Sequence, residues 1–311
     1  MAIPGGETRV TVAIATRNRI AELRRTLRHL AALPETPPVV VVDNASSDGT
    51  AEAVRREHPA VGVISLERNL AAAGRNVAVA RAATRYVAFS DDDSWWEPGS
   101  LQRAAAALDS HPGLALVAAR TLVGPGGTAD PVNALMAASP LPRDGLPGPR
   151  VLGFLGCAAV VRRDAFLAVG GYCDLLGIGA EEQLLALDLA AAGWAAAYLD
   201  DVIARHWPSA IRDPAGRTRL QRRNEVLITW LRRPVRVAVA ATARLAGQLG
   251  RDPHAARALA ALAIALPRAL TRRRTLPPAV EAQARLLDEI SPGRRAPRSA
   301  GPRRRPAPRP R

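Results

Sequence analysis

Three consecutive aspartates, Asp91-Asp92-Asp93, directly follow the apolar run Tyr86-Val87-Ala88-Phe89-Ser90. Like charges this close repel one another, so the arrangement persists only if something positive sits among them. Hard carboxylate oxygens suit Mg2+ or Mn2+, ions that bridge protein carboxylates to substrate phosphates. The plainer alternative is a solvated acidic turn that caps a helix beginning near Pro98. A second acid, Asp43, closes the run Val39-Val40-Val41-Val42. The residues after it, Asn44 to Thr50, read as an Asx turn and a helix cap. An aspartate at the end of a buried strand is also well placed to accept a hydrogen bond from a nucleobase N–H. A third polar group, Thr16-Arg17-Asn18-Arg19, ends the run Val10–Ala15. The pair Arg162-Arg163 reads first as a solvated turn and second as a means of steering an anionic donor or acceptor.

The elements that carry these residues alternate. Short β-rich runs at Val10–Ala15, Val39–Val42, Val61–Leu66 and Tyr86–Ser90 are separated by helical patterns. The helical patterns include Ile20, Leu23, Leu27 and Leu30 at three- and four-residue spacing, a short helix over Thr50–Glu57, and a small-residue helix over Ala71–Ala83. Such alternation predicts a mostly parallel sheet with right-handed crossovers. Ligands of parallel sheets bind beyond the carboxyl ends of the strands, which is where all three polar clusters fall. Gly124–Arg150, rich in Gly and Pro, reads as a long connection, and structure is expected to resume over Val151–Val161. A leucine-rich helix over Glu181–Ala192, closed by Gly193, leads to a strand over Trp194–Leu199. Ala/Arg-rich helices follow Leu231, with breaks expected at Pro234, Pro253 and Pro267.

A chain of 311 residues with 48% hydrophobic content can bury a full core. All 43 basic residues are arginine and the net charge is +15. Eight of those arginines, with no acid, lie in the Pro/Arg-rich stretch 291–311, which is expected to be disordered. Biased composition accounts for the arginines as readily as attraction to phosphates on nucleotides, lipid head groups or nucleic acid does. Cys157 and Cys173 are too few for a disulfide framework and lack metal-type spacing, which fits a reducing compartment. Neither a signal peptide nor an apolar run long enough to span a bilayer is visible. The expectation is a cytoplasmic protein, peripheral at the inner face of the membrane if its apolar, basic C-terminal helices meet lipid.

The segment VVVVDNASSDGT, then RNLAAAGRN (Arg68 to Asn76), then FSDDD (Phe89 to Asp93), resembles the nucleotide-binding half of family 2 glycosyltransferases. The likeness continues through FLGCAAVVRRDAFLAVGGY (Phe154 to Tyr172), Glu181-Glu182 and His206-Trp207-Pro208-Ser209, over roughly residues 10 to 231. It implies an α/β GT-A fold and an inverting transfer of sugar from a nucleotide-diphosphate donor, UDP-sugar first, to an acceptor hydroxyl. Carried over residue by residue, Asp43 and Asn44 contact base or ribose, Thr16, Arg17 and Asn18 line the nucleotide pocket, and Arg75 reaches the diphosphate. Asp91 and Asp93 match the metal-binding pair, with Asp93 as the direct ligand of Mn2+ or Mg2+. Asp92 contacts the ribose or donor sugar, and His206 is an additional metal ligand. Glu181-Glu182 stands where the family has Glu-Asp, and Glu182 aligns with the base that takes the acceptor's proton. Glutamate for aspartate lengthens that side chain by one methylene. Both acids also suit a helix N-terminus, whose dipole favours them.

The same reading divides the chain into a GT-A domain over residues 8–231, a helical extension over 232–290 and the tail 291–311. Within the domain, 8–120 is the donor half and 151–231 the acceptor half. The acceptor is a glycan, a lipid-linked or cell-envelope saccharide, or a small molecule. A sugar-phosphate nucleotidylyltransferase is disfavoured, because no glycine-rich loop follows the first strand and the chain has no lysine. An arginine-rich nucleic-acid or membrane binder on a degenerate scaffold is permitted by charge. However, three Phe and three Tyr leave little for base stacking.

Overall fold

A computed structural model describes residues 9–209 and 214–290. Its centre is one sheet with strands β1 (Val10–Thr16), β2 (Val39–Asp43), β3 (Gly62–Ser65), β4 (Tyr86–Asp91), β5 (Ser94–Trp96), β6 (Leu114–Val123), β7 (Thr128–Ala129), β8 (Ala159–Arg162) and β9 (Ala195–His206). The order is β3-β2-β1-β4-β8-β6-β9-β5, with β7 on β6. β3, β2, β1 and β4 run parallel, as do β6 and β9, whereas β8 is antiparallel to both of its neighbours. The fold is therefore α/β, with the strand ends of β1, β2 and β4 on a single edge.

Alternation along each strand sends side chains to two cores. Val12, Ile14 and Val41 join Leu23, Leu27 and Leu30 of α1 (Ile20–Ala31), Val54 of α2 (Thr50–Glu57), and Leu101 and Leu108 of α4 (Ser100–Ser110). On the other face, Ala13, Val42 and Phe89 meet Ala78 and Val79 of α3 (Gly74–Arg81) and Phe166 of α6 (Arg163–Ala168). Leu185 and Leu189 of α7 (Glu181–Ala191) complete that second core. The opposite side of α7, through Leu184 and Leu187, packs on a third core built by α8 (Pro214–Arg232), α9 (Val235–Ala246), α10 (Ala255–Thr271) and α11 (Pro278–Ile290). α7 is thus covered on two sides, which is why its sequence is apolar nearly all round.

Several local expectations need correction. The helix expected over Ala71–Ala83 is a 3-10 turn at Ala71–Ala73 followed by α3. The connection 124–150 contains β7 and α5 (Pro131–Ala137), whose N-cap Asp130 accepts from Val132 N at 2.9 Å. Asn133 fastens α5 to β6 through reciprocal bonds with Thr121 N (2.9 Å) and Thr121 O (2.8 Å). In the 151–161 segment only Ala159 onward is strand, and β9 extends to His206, well past Leu199. Pro267 lies inside α10 and does not break it. Pro267 and Ala263, whose carbonyl loses its helical partner there, are both exposed, so water can satisfy that oxygen. Arg162 is no solvated turn: its buried guanidinium donates to Leu108 O (2.7 Å) and Leu114 O (3.2 Å). Arg163 ties the end of α3 through Val79 O (3.1 Å) and Ala80 O (3.0 Å). The tail 291–311 lies outside the described residues. No helix among them is long and apolar enough to cross a membrane.

Side chains of α8 join the C-terminal helices to the loop before α7, among them Arg223, which donates to Leu176 O at 2.8 Å. Asn224 of α8, fully buried, donates its amide to the carbonyls of Leu176 (2.9 Å), Ile178 (3.1 Å) and Gly179. Asn224→Leu keeps the volume and removes the donor to the Ile178 and Gly179 carbonyls, while Leu176 O keeps Arg223, so it should destabilise the protein by about 1–3 kcal/mol. Thermal denaturation should show a drop of several degrees. An unchanged melting temperature would mean that the loop is held by other contacts.

Candidate active site

The strand register sets the first half of the site. Thr16 of β1 pairs with Asp43 of β2, and Ala15 with Asp91 of β4, so the three strand ends lie side by side. Side chains knit the edge together. Thr16 Oγ1 donates to Asp92 Oδ2 at 2.9 Å, and Thr26 Oγ1 of α1 to Asp92 O at 2.8 Å. Asn18, in a left-handed conformation (φ 54°), accepts from Ser47 N at 2.7 Å through Oδ1. Asn44 Oδ1 accepts from Leu70 N at 3.0 Å, and its Nδ2 donates to Ala71 O at 3.3 Å. Asp43 is buried and accepts through Oδ1 from Ser46 N (3.2 Å) and from the Ser46 hydroxyl. The Asx turn therefore accounts for Asp43 as well as for the residues after it. Arg17 is exposed at the same edge.

The second half comes from α7 and the end of β9. Three left-handed positions precede the helix: Gly177 (φ 69°), Gly179 (φ 92°) and Ala180 (φ 66°). Ala180 carries a Cβ, so this conformation costs about 1–2 kcal/mol. It turns Glu181 and Glu182 inward in the first turn of α7. Glu181 is buried, and its Oε2 has no hydrogen-bond partner among the described residues. Glu182 is partly accessible. A Cβ on Gly156 would lie 2.7 Å from Glu182 Oε1, so only glycine leaves that carboxylate its place. His206, last in β9, pairs with Ser94 of β5 and Val123 of β6.

Between these halves, donor atoms of Asp91, Cys157 and His206 lie within 4.8 Å of one another. Asp93, expected as the direct metal ligand, is outside this set. Its Oδ2 accepts from Ser209 N at 3.0 Å, and its Oδ1 lies 3.3 Å from His206 Nε2. Asp93 therefore lies where a carboxylate can orient the imidazole of His206. Arg75, expected at a diphosphate, is buried, forms an ion pair with Asp91 and lies 5.7 Å over the Tyr172 ring. The carboxylate, imidazole and thiol donors suit a divalent cation.

Electrostatics separate these acids. Burial, reinforced by Glu181, pushes Glu182 up to about 8. Glu181 is also raised, chiefly by burial. Burial and the flanking Asp91 and Asp93 charges push Asp92 up to about 7. Burial opposes the charge on Arg75, but Asp91, Tyr172 and the two glutamates more than offset it and keep the guanidinium charged. The Cys157 thiol is pushed well above its ordinary value by burial.

Of the residues singled out from sequence, the structure brings Thr16, Asp91, Asp92, Asp93, Arg75 and His206 into one linked set. Asp43 and Asn44 lie on the neighbouring strand end. Cys157, Gly156 and Tyr172 escaped the sequence reading, because their partners lie far away along the chain. A separate groove of about 790 Å3, lined by Arg103, Arg143, Tyr198 and Asp201 among others, shares none of these residues.

An α/β sheet with an aspartate-rich strand end, facing an acidic helix N-terminus, is the architecture of a nucleotide-sugar transferase of the GT-A type. The sequence profile of glycosyl transferase family 2 matches residues 11–170, a little over half of the chain, and the protein belongs to that family of glycosyltransferases. The teichuronic acid biosynthesis glycosyltransferase TuaG of Bacillus subtilis (strain 168) is 38% identical over 69 residues, 21% of this chain and 27% of TuaG. The match thus spans about a quarter of that relative. Among solved structures, the S. aureus TarS 1-349 structure shares the fold with a TM-score of 0.55 at 23% identity, covering 85% of this chain and 83% of that one. The mannosyltransferase PcManGT from Pyrobaculum calidifontis, solved with GDP-Man and Mn2+, gives 0.54 at 23% identity over 91% of this chain and 80% of its own.

The raised carboxyls set the pH dependence of stability. Glu182 and Asp92 ordinarily titrate at 4.5 and 3.8, so in the fold they hold protons that the unfolded chain has already lost. Between about pH 4 and about 8 the folded state binds more protons, and stability falls as pH rises. Glu182→Gln should therefore melt like wild type at pH 5 and higher than wild type at pH 8–9. The expected gain is about 2–4 °C for each kcal/mol released. Equal melting at both pH values would show that Glu182 is not strained by its charge.

Proposed function

We propose that the protein transfers a sugar from a nucleoside diphosphate donor, UDP-linked, to an acceptor hydroxyl with inversion at the anomeric carbon. The observation that carries this reading is the placement of Glu182 in the first turn of α7, beside Gly156 and within the field of Asp91, where burial raises its carboxyl. A base titrating near the working pH is the kind that proton transfer requires. The acceptor O–H proton passes to the Glu182 carboxylate as its oxygen attacks the anomeric carbon. The bond from that carbon to the diphosphate breaks on the opposite side, and its electron pair leaves with the phosphate oxygen. Glu181, buried beside it, holds the Glu182 proton affinity high enough for the task.

Asp43, Asn44, Thr16, Arg17 and Asn18 form the base and ribose end of the donor site in this reading. Asp92, fixed by Thr16, meets the ribose or the sugar. Asp91 and His206 would hold Mn2+ or Mg2+, with Asp93 orienting the imidazole and Arg75 positioning Asp91. A bound divalent cation supplies Lewis-acid neutralisation of the departing diphosphate. UDP is favoured because TarS has been solved with UDP and with UDP-GlcNAc. TuaG's name supports a cell-envelope glycan as the acceptor.

Calorimetry with UDP, GDP and dTDP, with and without Mn2+, tests the donor site. Binding should be selective, metal-dependent and lost in Asp91→Asn; absence of any nucleotide binding would refute the donor assignment. Glu182→Gln should lower kcat by about 100- to 10,000-fold while leaving nucleotide affinity unchanged. Wild-type turnover in that variant would remove Glu182 as the base.

Peripheral membrane association belongs to the same proposal. Val235 and Val239 are exposed on α9 beside Arg236, and Ile264 and Leu270 on α10 beside Arg268. Such faces bind at an anionic interface. The protein should co-sediment with phosphatidylserine-containing liposomes at low salt and release at high salt. Indifference to those liposomes would dismiss the idea.

A further inference from the structure

Cys157 has no role in the transfer as described. It is buried in the turn just before β8, between Gly156, which makes room for Glu182, and the inner sheet. A buried cysteine is ordinarily a small hydrophobe. Here, however, its sulfur shares a 4.8 Å sphere with an Asp91 carboxylate oxygen and a His206 ring nitrogen. Metal bonds of about 2.0–2.3 Å place two ligands of one tetrahedral ion about 3.3–3.8 Å apart, so a small closing movement lets all three donors share a centre. The main chain holds the cysteine there: Ser94 Oγ lies 3.4 Å from Cys157 O and accepts from Asp91 N at 2.7 Å. A single serine thus ties the backbone positions of two of the three donors.

We propose that Cys157 is a third, thiolate ligand of the cation held by Asp91 and His206, and that it biases this site from Mg2+ and Mn2+ toward thiophilic ions such as Zn2+ and Co2+. The inference rests on the reading of Asp91 and His206 as cation ligands. A mixed carboxylate–imidazole–thiolate set is suited to Zn2+, whereas Mg2+ and Mn2+ prefer oxygen alone. On binding, the sulfur–hydrogen bond breaks, the proton leaves to solvent and the sulfur lone pair forms the metal bond, with no change of oxidation state.

Co2+ titration followed by absorbance tests the assignment, because a cobalt–thiolate bond gives a charge-transfer band in the near ultraviolet. Wild type should show the band. Cys173→Ser should keep it, and Cys157→Ser and Cys157→Ala should lose it. Zn2+ affinity should fall about tenfold or more in both Cys157 variants, about 1.4 kcal/mol, while Mn2+ affinity changes little. Cys157→Asp, which restores a ligand of oxygen type, should favour Mn2+ relative to Zn2+. Circular dichroism of each variant reports its folding, and the presence or absence of the band in wild type decides the assignment even if a variant destabilises the core. If wild type shows Mn2+-dependent UDP binding and Co2+ binding without a charge-transfer band, the thiolate assignment falls and the cation site stands. If neither metal nor nucleotide binds, the donor-site reading falls and takes this inference with it.

Discussion

Mutual repulsion of carboxylates governs the arrangement of this molecule. Asp91, Asp92, Asp93, Glu181 and Glu182 converge where strands end, and water reaches few of their oxygens. Each acid receives a different relief. Arg75 sits on Asp91, Thr16 donates to Asp92, and the Ser209 amide donates to Asp93. Burial first, and then the neighbouring like charges that these contacts leave uncompensated, raise the proton affinity of Asp92 and Glu182. Strand register, the left-handed turn at Ala180 and the bare Cα of Gly156 all keep like charges facing one another. Such a site is maintained at the expense of stability, which the three apolar cores must supply.

The parallel part of the fold was legible because its signals are local. Four valines before Asp43, and the apolar run before Asp91, announce strands whose ends carry polar residues, and the register places those ends together. Recognition of the family rested on the same residues. The cysteine beside Asp91 and His206 was not legible, because nothing in the spacing of positions 91, 157 and 206 marks them as neighbours. Asp93 falls outside the group of Asp91, Cys157 and His206 for the same reason: a pattern of three aspartates says that a cation is near, but backbone direction decides which way each carboxylate points. Arg162 and Arg163 were misread for a related reason. Charge suggested solvent, whereas buried carbonyls at Leu108 and Leu114 claimed one guanidinium and the end of α3 claimed the other.

α7 mediates between the sheet and the C-terminal helices. Its sheet-facing leucines fix its height above β9, and its outward leucines lock it to α8. The two glutamates at its start are therefore positioned by packing on both sides, and their backbone approach is held by Asn224 together with Arg223. A helix dipole alone accommodates a negative charge at an N-terminus but does not aim it.

The tie made by Asn224 separates kinship from competence. The stretch matched by the family's sequence profile ends at Gly170. A fragment cut there would carry Asp43 and Asp91–Asp93, yet it would lack Glu181, Glu182 and His206, and the side chain that holds the approach to α7. The profile match is thus shorter than the length of polypeptide that the assembled site requires. Swapping the recognisable portion between relatives would therefore exchange one wall of the cleft and leave its facing wall, together with the joint that sets the gap between them, behind in the original host.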